Sequence, residues 1–374
     1  MKNSVVIGKI KGIEIEVNFS WLIIFGLVTY MLATSYLPGI YPDWAPSLRW
    51  IVGGIMALLL FTSVLLHELS HSFVSKSLGI QVKKISLFIF GGIAQMEGEP
   101  DEPTKELKIA IAGPAMSLFL AALFILLANR FGAIGAPKAI IAIVTYMYSI
   151  NLVLAIFNLI PAFPMDGGRV LRAIIWHFSG NLEKATKIAS YLGGVFGYFL
   201  IFLGIFWMFN GDIINGIWFL FIGWFIHQSS QSSYQYTVMT NRFSKIHVSE
   251  FMTEKIVIVD YQLSIQELVD SYFYKYKFAN FPVRKNKEIM GIVNIESVKK
   301  IPKESWSQTT VGSITTPLED NLIVSPDDPV STAMEKLFAN DIGKVLVMNQ
   351  SKLIGMISKA DMLNYMRIQN QLSQ

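Results

Sequence analysis

Cysteine is absent from this 374-residue chain, which excludes disulfides and thiolate metal ligands and says little about compartment. Charge is scarce. Asp, Glu, Lys and Arg together make up 16% of the sequence, against about 25% in an average soluble domain. The net charge of +4 comes from scattered lysines without a dense basic run, so nucleic-acid binding has no electrostatic footing. Histidine is rare, with 5 in the whole chain. Residues 1–18 lack the apolar stretch and small-residue cleavage site of a secretory leader and do not read as a signal peptide.

What the chain has is apolar sequence, concentrated in roughly the first 230 positions. Residues 10–17 alternate apolar and polar, which is strand periodicity, with Gly12 at a turn or bulge. Six apolar segments follow, at about 21–37, 50–78, 109–128, 139–160, 189–209 and 213–226. Crossing the hydrocarbon takes about 20 apolar residues, and six such runs exceed what a soluble core contains. The expectation is a polytopic α-helical membrane protein with six transmembrane helices and short membrane-associated β segments, over residues 1–228. Lys2, Lys9, Lys11, Lys83, Lys84, Lys105, Arg169, Arg172, Lys184 and Lys187 fall on one side, and Arg49, Arg130 and Lys138 on the other. The first side is then cytoplasmic, and both termini with it.

A polar run, Gln228-Ser229-Ser230-Gln231-Ser232-Ser233, opens a linker expected over 229–246, and a soluble module fills 247–374. That module repeats itself. Units at about 248–301 and 311–366 each carry short apolar strands, an amphipathic helix and a closing apolar-Gly-apolar strand, Ile289-Met290-Gly291-Ile292-Val293 and Leu353-Ile354-Gly355-Met356-Ile357. Each unit is too small to bury a good core alone, so the two should pack together as an α/β pair in the cytoplasm.

His67-Glu68-Leu69-Ser70-His71 is an HExxH pattern inside an apolar helix. Residues four apart share a helical face, so both imidazoles can reach one Zn²⁺, and Glu68 can act as general base toward its water. The bland reading, two packing histidines with a satisfied glutamate, sits poorly in a membrane span, where ionisable residues are costly and mark function. A catalytic zinc takes three protein ligands. His177, His227 and His247 have no evident tie to the motif. Asp166, in Pro164-Met165-Asp166-Gly167-Gly168-Arg169, is the better third ligand, although by residue type alone it is a turn aspartate before Gly-Gly. Depth favours the ligand reading: His67 lies about 25 Å down a helix from Trp50, near the cytoplasmic side where Asp166 also lies.

His67-Glu68-Leu69-Ser70-His71 in one span, followed by Asn158-Leu159-Ile160-Pro161-Ala162-Phe163 and the Pro-Met-Asp-Gly-Gly-Arg core, resembles the site-2 protease family of intramembrane zinc metalloproteases. The similarity is to its prokaryotic subgroup with six spans and a C-terminal pair of CBS domains, and it covers nearly the whole chain. It implies that His67, His71 and Asp166 bind one zinc, that Glu68 activates water, and that Asn158 positions substrate or stabilises the oxyanion. The implied substrates are single-span membrane proteins. Such substrates must be unwound before cleavage, and the glycine-interrupted run 87–94 reads as a re-entrant loop or an edge strand able to hold an extended peptide. Gly113-Pro114 reads as close packing or a helix start.

The repeat pair resembles CBS domains, which pair into a disc, often dimerise and often bind ATP, ADP or AMP. Gly355-Met356-Ile357-Ser358-Lys359-Ala360-Asp361 matches the nucleotide signature, with Ser358 implied at phosphate and Asp361 at ribose; a helix N-cap is the plainer reading. The first unit departs from it, with Asn294 for the hydroxyl and Ser297 for the acid. A CBS-regulated transporter or a non-catalytic scaffold are the other readings. A transporter needs ionisable residues across the bilayer, and the fifth and sixth segments have almost none.

Overall fold

The structure, a computed structural model, describes residues 4–89, 91–340 and 342–372; Lys2 and Phe90 lie outside the described residues. The chain divides into two units, Met1–Thr237 and Val238–Gln374.

In the first unit the alternating N-terminal sequence forms a hairpin of β1 (Ser4–Ile10) and β2 (Ile13–Asn18), turned at Lys11-Gly12. Asn18 caps α1 (Phe19–Met31) by accepting from the Ser20 N–H, and a π-helical turn joins α1 to the short α2 (Leu37–Ile40). Then come α3 (Pro46–Ser77), β3 (Gln81–Phe88), β4 (Gly91–Glu97), α4 (Pro103–Ala133), α5 (Lys138–Asn158), α6 (Asp166–Ser179), α7 (Leu182–Phe209) and α8 (Ile213–Phe243). The sheet order is β1-β2-β3-β4, with β2 parallel to β3 and β3 antiparallel to β4. The run 87–94 is therefore the tip of the β3–β4 hairpin, and β4 is an edge strand.

Among the described residues five helical stretches are long and apolar enough to cross a membrane: Phe19–Ile40, Pro46–Ser77, Pro103–Ala133, Lys138–Asn158 and Leu182–Phe209. The sixth apolar segment is the first half of α8. That helix continues without a break through Gln228–Ser233 to Phe243, so the run expected as a linker is helical. The change of character at His227 leaves the apolar part of α8 short of the roughly 20 residues a span takes.

The first unit exposes large apolar side chains and buries polar ones among its apolar core. Phe199, Phe202 and Phe206 lie exposed along α7, while Ser63, His67, His71, Ser72, Ser75, Glu106, Ser117 and Asn151 are buried. In water this order would be unfavourable. In lipid it follows, because apolar side chains gain nothing by leaving the acyl chains while polar groups must find partners among the helices.

The second unit takes in the last residues of α8 and continues with α9 (Val248–Phe251). Its first repeat holds β5 (Val259–Asp260), α10 (Ile265–Leu268), α11 (Tyr274–Tyr276), β6 (Asn280–Lys285), β7 (Glu288–Asn294) and α12 (Ile295–Lys299), with β8 (Thr316–Pro317) completing a sheet ordered β5-β6-β7-β8. The second holds β9 (Ile323–Val324), α13 (Val330–Ala339), β10 (Lys344–Asn349), β11 (Lys352–Ser358) and α14 (Lys359–Leu372), with sheet order β11-β10-β9. The repeats exchange their opening segments. Val248 is buried with Val324, Met334, Leu337 and Val347 of the second repeat, and Val311 with Ile265, Leu268, Phe281 and Val293 of the first. Each small core is thus completed by residues from the other's side of the boundary, which couples their stability.

Candidate metal centre

The pattern of α3 places His67 and His71 on one face, one turn apart, and both are 4% exposed. Their Nε2 atoms lie 3.2 Å apart. Asp166, the first residue of α6, brings Oδ2 to 3.1 Å from each. These three groups offer ligand atoms around one point. Zinc bonds of about 2.0–2.1 Å in a tetrahedron place neighbouring ligand atoms roughly 3.3 Å apart, so the donor set and its spacing fit a zinc ion with one open position. Burial alone would push the Asp166 carboxyl up, but the facing imidazoles of His67 and His71 outweigh it and hold the group below the usual carboxylate range.

Both Nε2 atoms are directed inward, and each Nδ1 meets an oxygen on α4. His71 Nδ1–H donates to the Ile109 carbonyl at 2.6 Å, and His67 Nδ1 is hydrogen-bonded with Ser117 Oγ at 2.9 Å. Gly113 lies between them. A Cβ there would stand 2.5 Å from His67 Nε2 and closer still to His71 Nε2. Gly113-Pro114 is therefore a close-packing element within α4; the alternative of a helix start fails, because the helix begins at Pro103.

Asp166 owes its place to the fold-back before it. Cβ atoms on Gly167 or Gly168 would run into the backbone of 159–160 and 162–163 respectively, so the Gly-Gly pair lets this loop close over the first turn of α6. On the same helix, Arg172 donates to Glu106 Oε1 of α4 through Nε at 2.6 Å and also through Nη2, and Arg169 Nε lies 3.9 Å away. The guanidinium of Arg172 stacks over Phe163 at 5.2 Å. This ion pair ties α6, which carries Asp166, to α4, which packs against the histidines of α3.

Glu68 is half-buried beside His67, facing the edge strand: a Cβ on Gly92 of β4 would lie 2.6 Å from Glu68 Cγ. Asn158 ends α5, and its Nδ2 donates to the Leu154 carbonyl at 3.0 Å within its own helix. A different asparagine, fully buried Asn151, crosses to the zinc helix, donating to Ser63 Oγ at 3.1 Å one turn before His67. Sequence reading passed over Asn151, Ser117 and the Glu106–Arg172 pair. The available signal was polarity in an apolar helix, which for Glu106 was strong.

In the second unit Ser358 and Asp361 satisfy each other. The Ser358 N–H and Oγ donate to Asp361 Oδ2 at 2.8 and 2.6 Å, and the Asp361 N–H donates back to Ser358 Oγ at 3.2 Å. This is a reciprocal cap at the start of α14. In the first repeat Asn294 Oδ1 accepts from the Ser297 N–H at 2.7 Å and caps α12 in the same way. Gly355 packs against Met252, whose Cγ would lie 2.7 Å from a Cβ there.

The comparisons with known proteins cover both units. The peptidase family M50 profile matches residues 55–135 and 131–203, and the CBS domain profile matches 248–304 and 311–368. The zinc metalloprotease MJ0392 of Methanocaldococcus jannaschii is 33% identical over 372 residues, 98% of this chain and 97% of that protein. The protein sll0528 of Synechocystis is 34% identical over 366 residues, 97% of this chain and 95% of that one. A solved site-2 protease from Methanocaldococcus jannaschii aligns at 31% identity over 62% of this chain and 95% of that chain, with a TM-score of 0.42. The chain belongs to peptidase family M50, the site-2 proteases, as a zinc metalloprotease with a C-terminal pair of CBS domains.

Proposed function

We propose that this protein is an intramembrane endopeptidase that hydrolyses peptide bonds within or beside the transmembrane segments of single-span membrane proteins. The observation that carries the reading is the buried triangle of His67, His71 and Asp166 inside an apolar helical unit, with Glu68 at its side. In this reading His67, His71 and Asp166 are the protein ligands, and both termini and the CBS pair lie in the cytoplasm, with the apolar part of α8 as a short sixth span. A bound zinc ion supplies Lewis acidity toward the scissile carbonyl and lowers the pKa of its water. Glu68 takes the proton from the attacking water and passes it to the leaving amine. Asn158, once released from the Leu154 carbonyl, donates to the developing oxyanion. The edge of β4 holds the unwound substrate as an added strand across Glu68, since a helical substrate hides the amides that must be cut.

The CBS pair takes an adenine nucleotide in the second repeat, where phosphate replaces Asp361 as partner of Ser358 and Asp361 turns to the ribose. Nucleotide can regulate cleavage only by binding two arrangements of the chain with different affinity.

The test is cleavage of a panel of tagged single-span membrane proteins by the purified full chain in detergent, beside Glu68→Gln. Wild type cuts at least one and the variant cuts none. Equal cutting by both removes Glu68 from the chemistry and the reading with it.

A further inference from the structure

We propose that one face of α4 is the outer shell of the metal centre and that Ser117 is a positioning residue that holds the His67 ring through Nδ1 when Nε2 is given to zinc; this rests on the zinc reading above. Glu106, Ile109, Gly113 and Ser117 recur every three or four residues, so they line one side of the helix, and Glu106, Ile109, Gly113 and Ser117 are all buried. Each of the three ligands has its own support on that side. The Ile109 carbonyl accepts from His71, Ser117 is hydrogen-bonded with His67, and Glu106 holds Arg172, six residues after Asp166 on the same helix. Gly113, in the middle, lets the helix backbone come close enough for all three to act.

The bond made by Ser117 differs from those of the neighbouring hydroxyls. Thr62, Ser70, Ser72 and Ser75 on α3 each donate to the carbonyl four residues earlier in their own helix, the usual arrangement for a serine or threonine in an apolar helix. Ser117 instead pairs with a ring nitrogen on another helix, 50 residues away in sequence. An imidazole in water exchanges its proton between two nitrogens. Zinc on Nε2 leaves the proton on Nδ1, and an oxygen in place to accept it there stops the ring turning, which raises metal affinity. For His71 the acceptor is a backbone carbonyl and is present whatever side chain stands at 109. For His67 it depends on the residue at 117, so the support can be removed there.

The experiment uses the full chain in detergent and measures zinc affinity by competition with a chromophoric chelator, together with the visible spectrum of the Co²⁺-loaded protein. The isosteric pair Ser117→Thr and Ser117→Val differs only in the hydroxyl, so any effect of added volume cancels. Ser117→Val binds zinc about 10–100-fold more weakly than Ser117→Thr, the range for loss of an outer-shell partner, and its Co²⁺ bands shift. Ser190→Ala, which removes a buried hydroxyl without a partner, leaves both readouts at the wild-type value. Equal zinc affinity and equal Co²⁺ spectra in the Thr and Val variants overturn the proposal while leaving the zinc reading intact. A wild-type chain that binds no zinc overturns both.

Discussion

Gly113→Ala probes the centre with the smallest possible change. The added methyl carbon would lie 2.5 Å from His67 Nε2 and 2.7 Å from His71 Cε1, where ordinary contact begins at 3.4 Å. The rings must therefore retreat by about 1 Å, or α4 must move away from α3. Neither ring can swing freely, because each is held at Nδ1 by Ser117 or by the Ile109 carbonyl. Metal sites accept ligand displacements of only about 0.2 Å, and a misplacement near 1 Å costs on the order of 100-fold in rate. The cost to the fold is smaller, about 1–3 kcal/mol for overpacking. The variant should fold, carry little zinc and cut at least ~100-fold more slowly, read by metal analysis and by cleavage of a tagged single-span substrate. Gly54→Ala on α3 is the control, since a Cβ there meets only Thr29 Cγ2 at 3.9 Å, and it should behave as wild type. A Gly113→Ala protein with full zinc and wild-type cleavage would refute the close approach of α4 and the account of the site built on it.

Two further outcomes follow from the same geometry. Glu68→Gln should retain about one zinc per chain, because Glu68 lies outside the three-ligand set, while losing cleavage by about 10²–10⁴-fold, the usual worth of a general base; loss of zinc instead would make Glu68 a ligand. Asp361→Ala should abolish adenine-nucleotide binding measured by titration calorimetry while costing the fold about 1 kcal/mol through the lost cap of α14; unchanged binding would place the nucleotide elsewhere or nowhere.

The chemistry of the centre was legible in the sequence because HExxH is local and helical spacing alone brings two imidazoles together. Asp166 stood out by its depth on the side of His67 and by the resemblance, while Gly167 and Gly168 pointed to a turn; the structure shows that their missing side chains admit the returning loop. The supports were not legible. The acceptor for His71 is a backbone carbonyl, and every residue has one, so Ile109 carries no mark of its role. Ser117 is one of several serines in apolar helices, and only the packing of α4 on α3 singles it out. The Glu106–Arg172 pair joins residues 66 apart, and no local period connects them. The polar run 228–233 reads as a linker because serine and glutamine are ordinary in linkers, yet Ser230 donates to the Phe163 carbonyl and is fully buried, so the helix continues through it. Gly113-Pro114 was legible as close packing but not as a helix start: proline favours the first turn of a helix, whereas here it lies eleven residues after Pro103, beside the glycine that the histidines approach.

The central claim is that His67, His71 and Asp166 together hold one catalytic zinc, and zinc content measured on the purified chain beside Asp166→Ala tests it most directly. The account predicts about one zinc per wild-type chain, as a single three-ligand site requires, and a content far below that in the variant. An Asp166→Ala protein that keeps its full zinc, or a wild type that holds none, would contradict it.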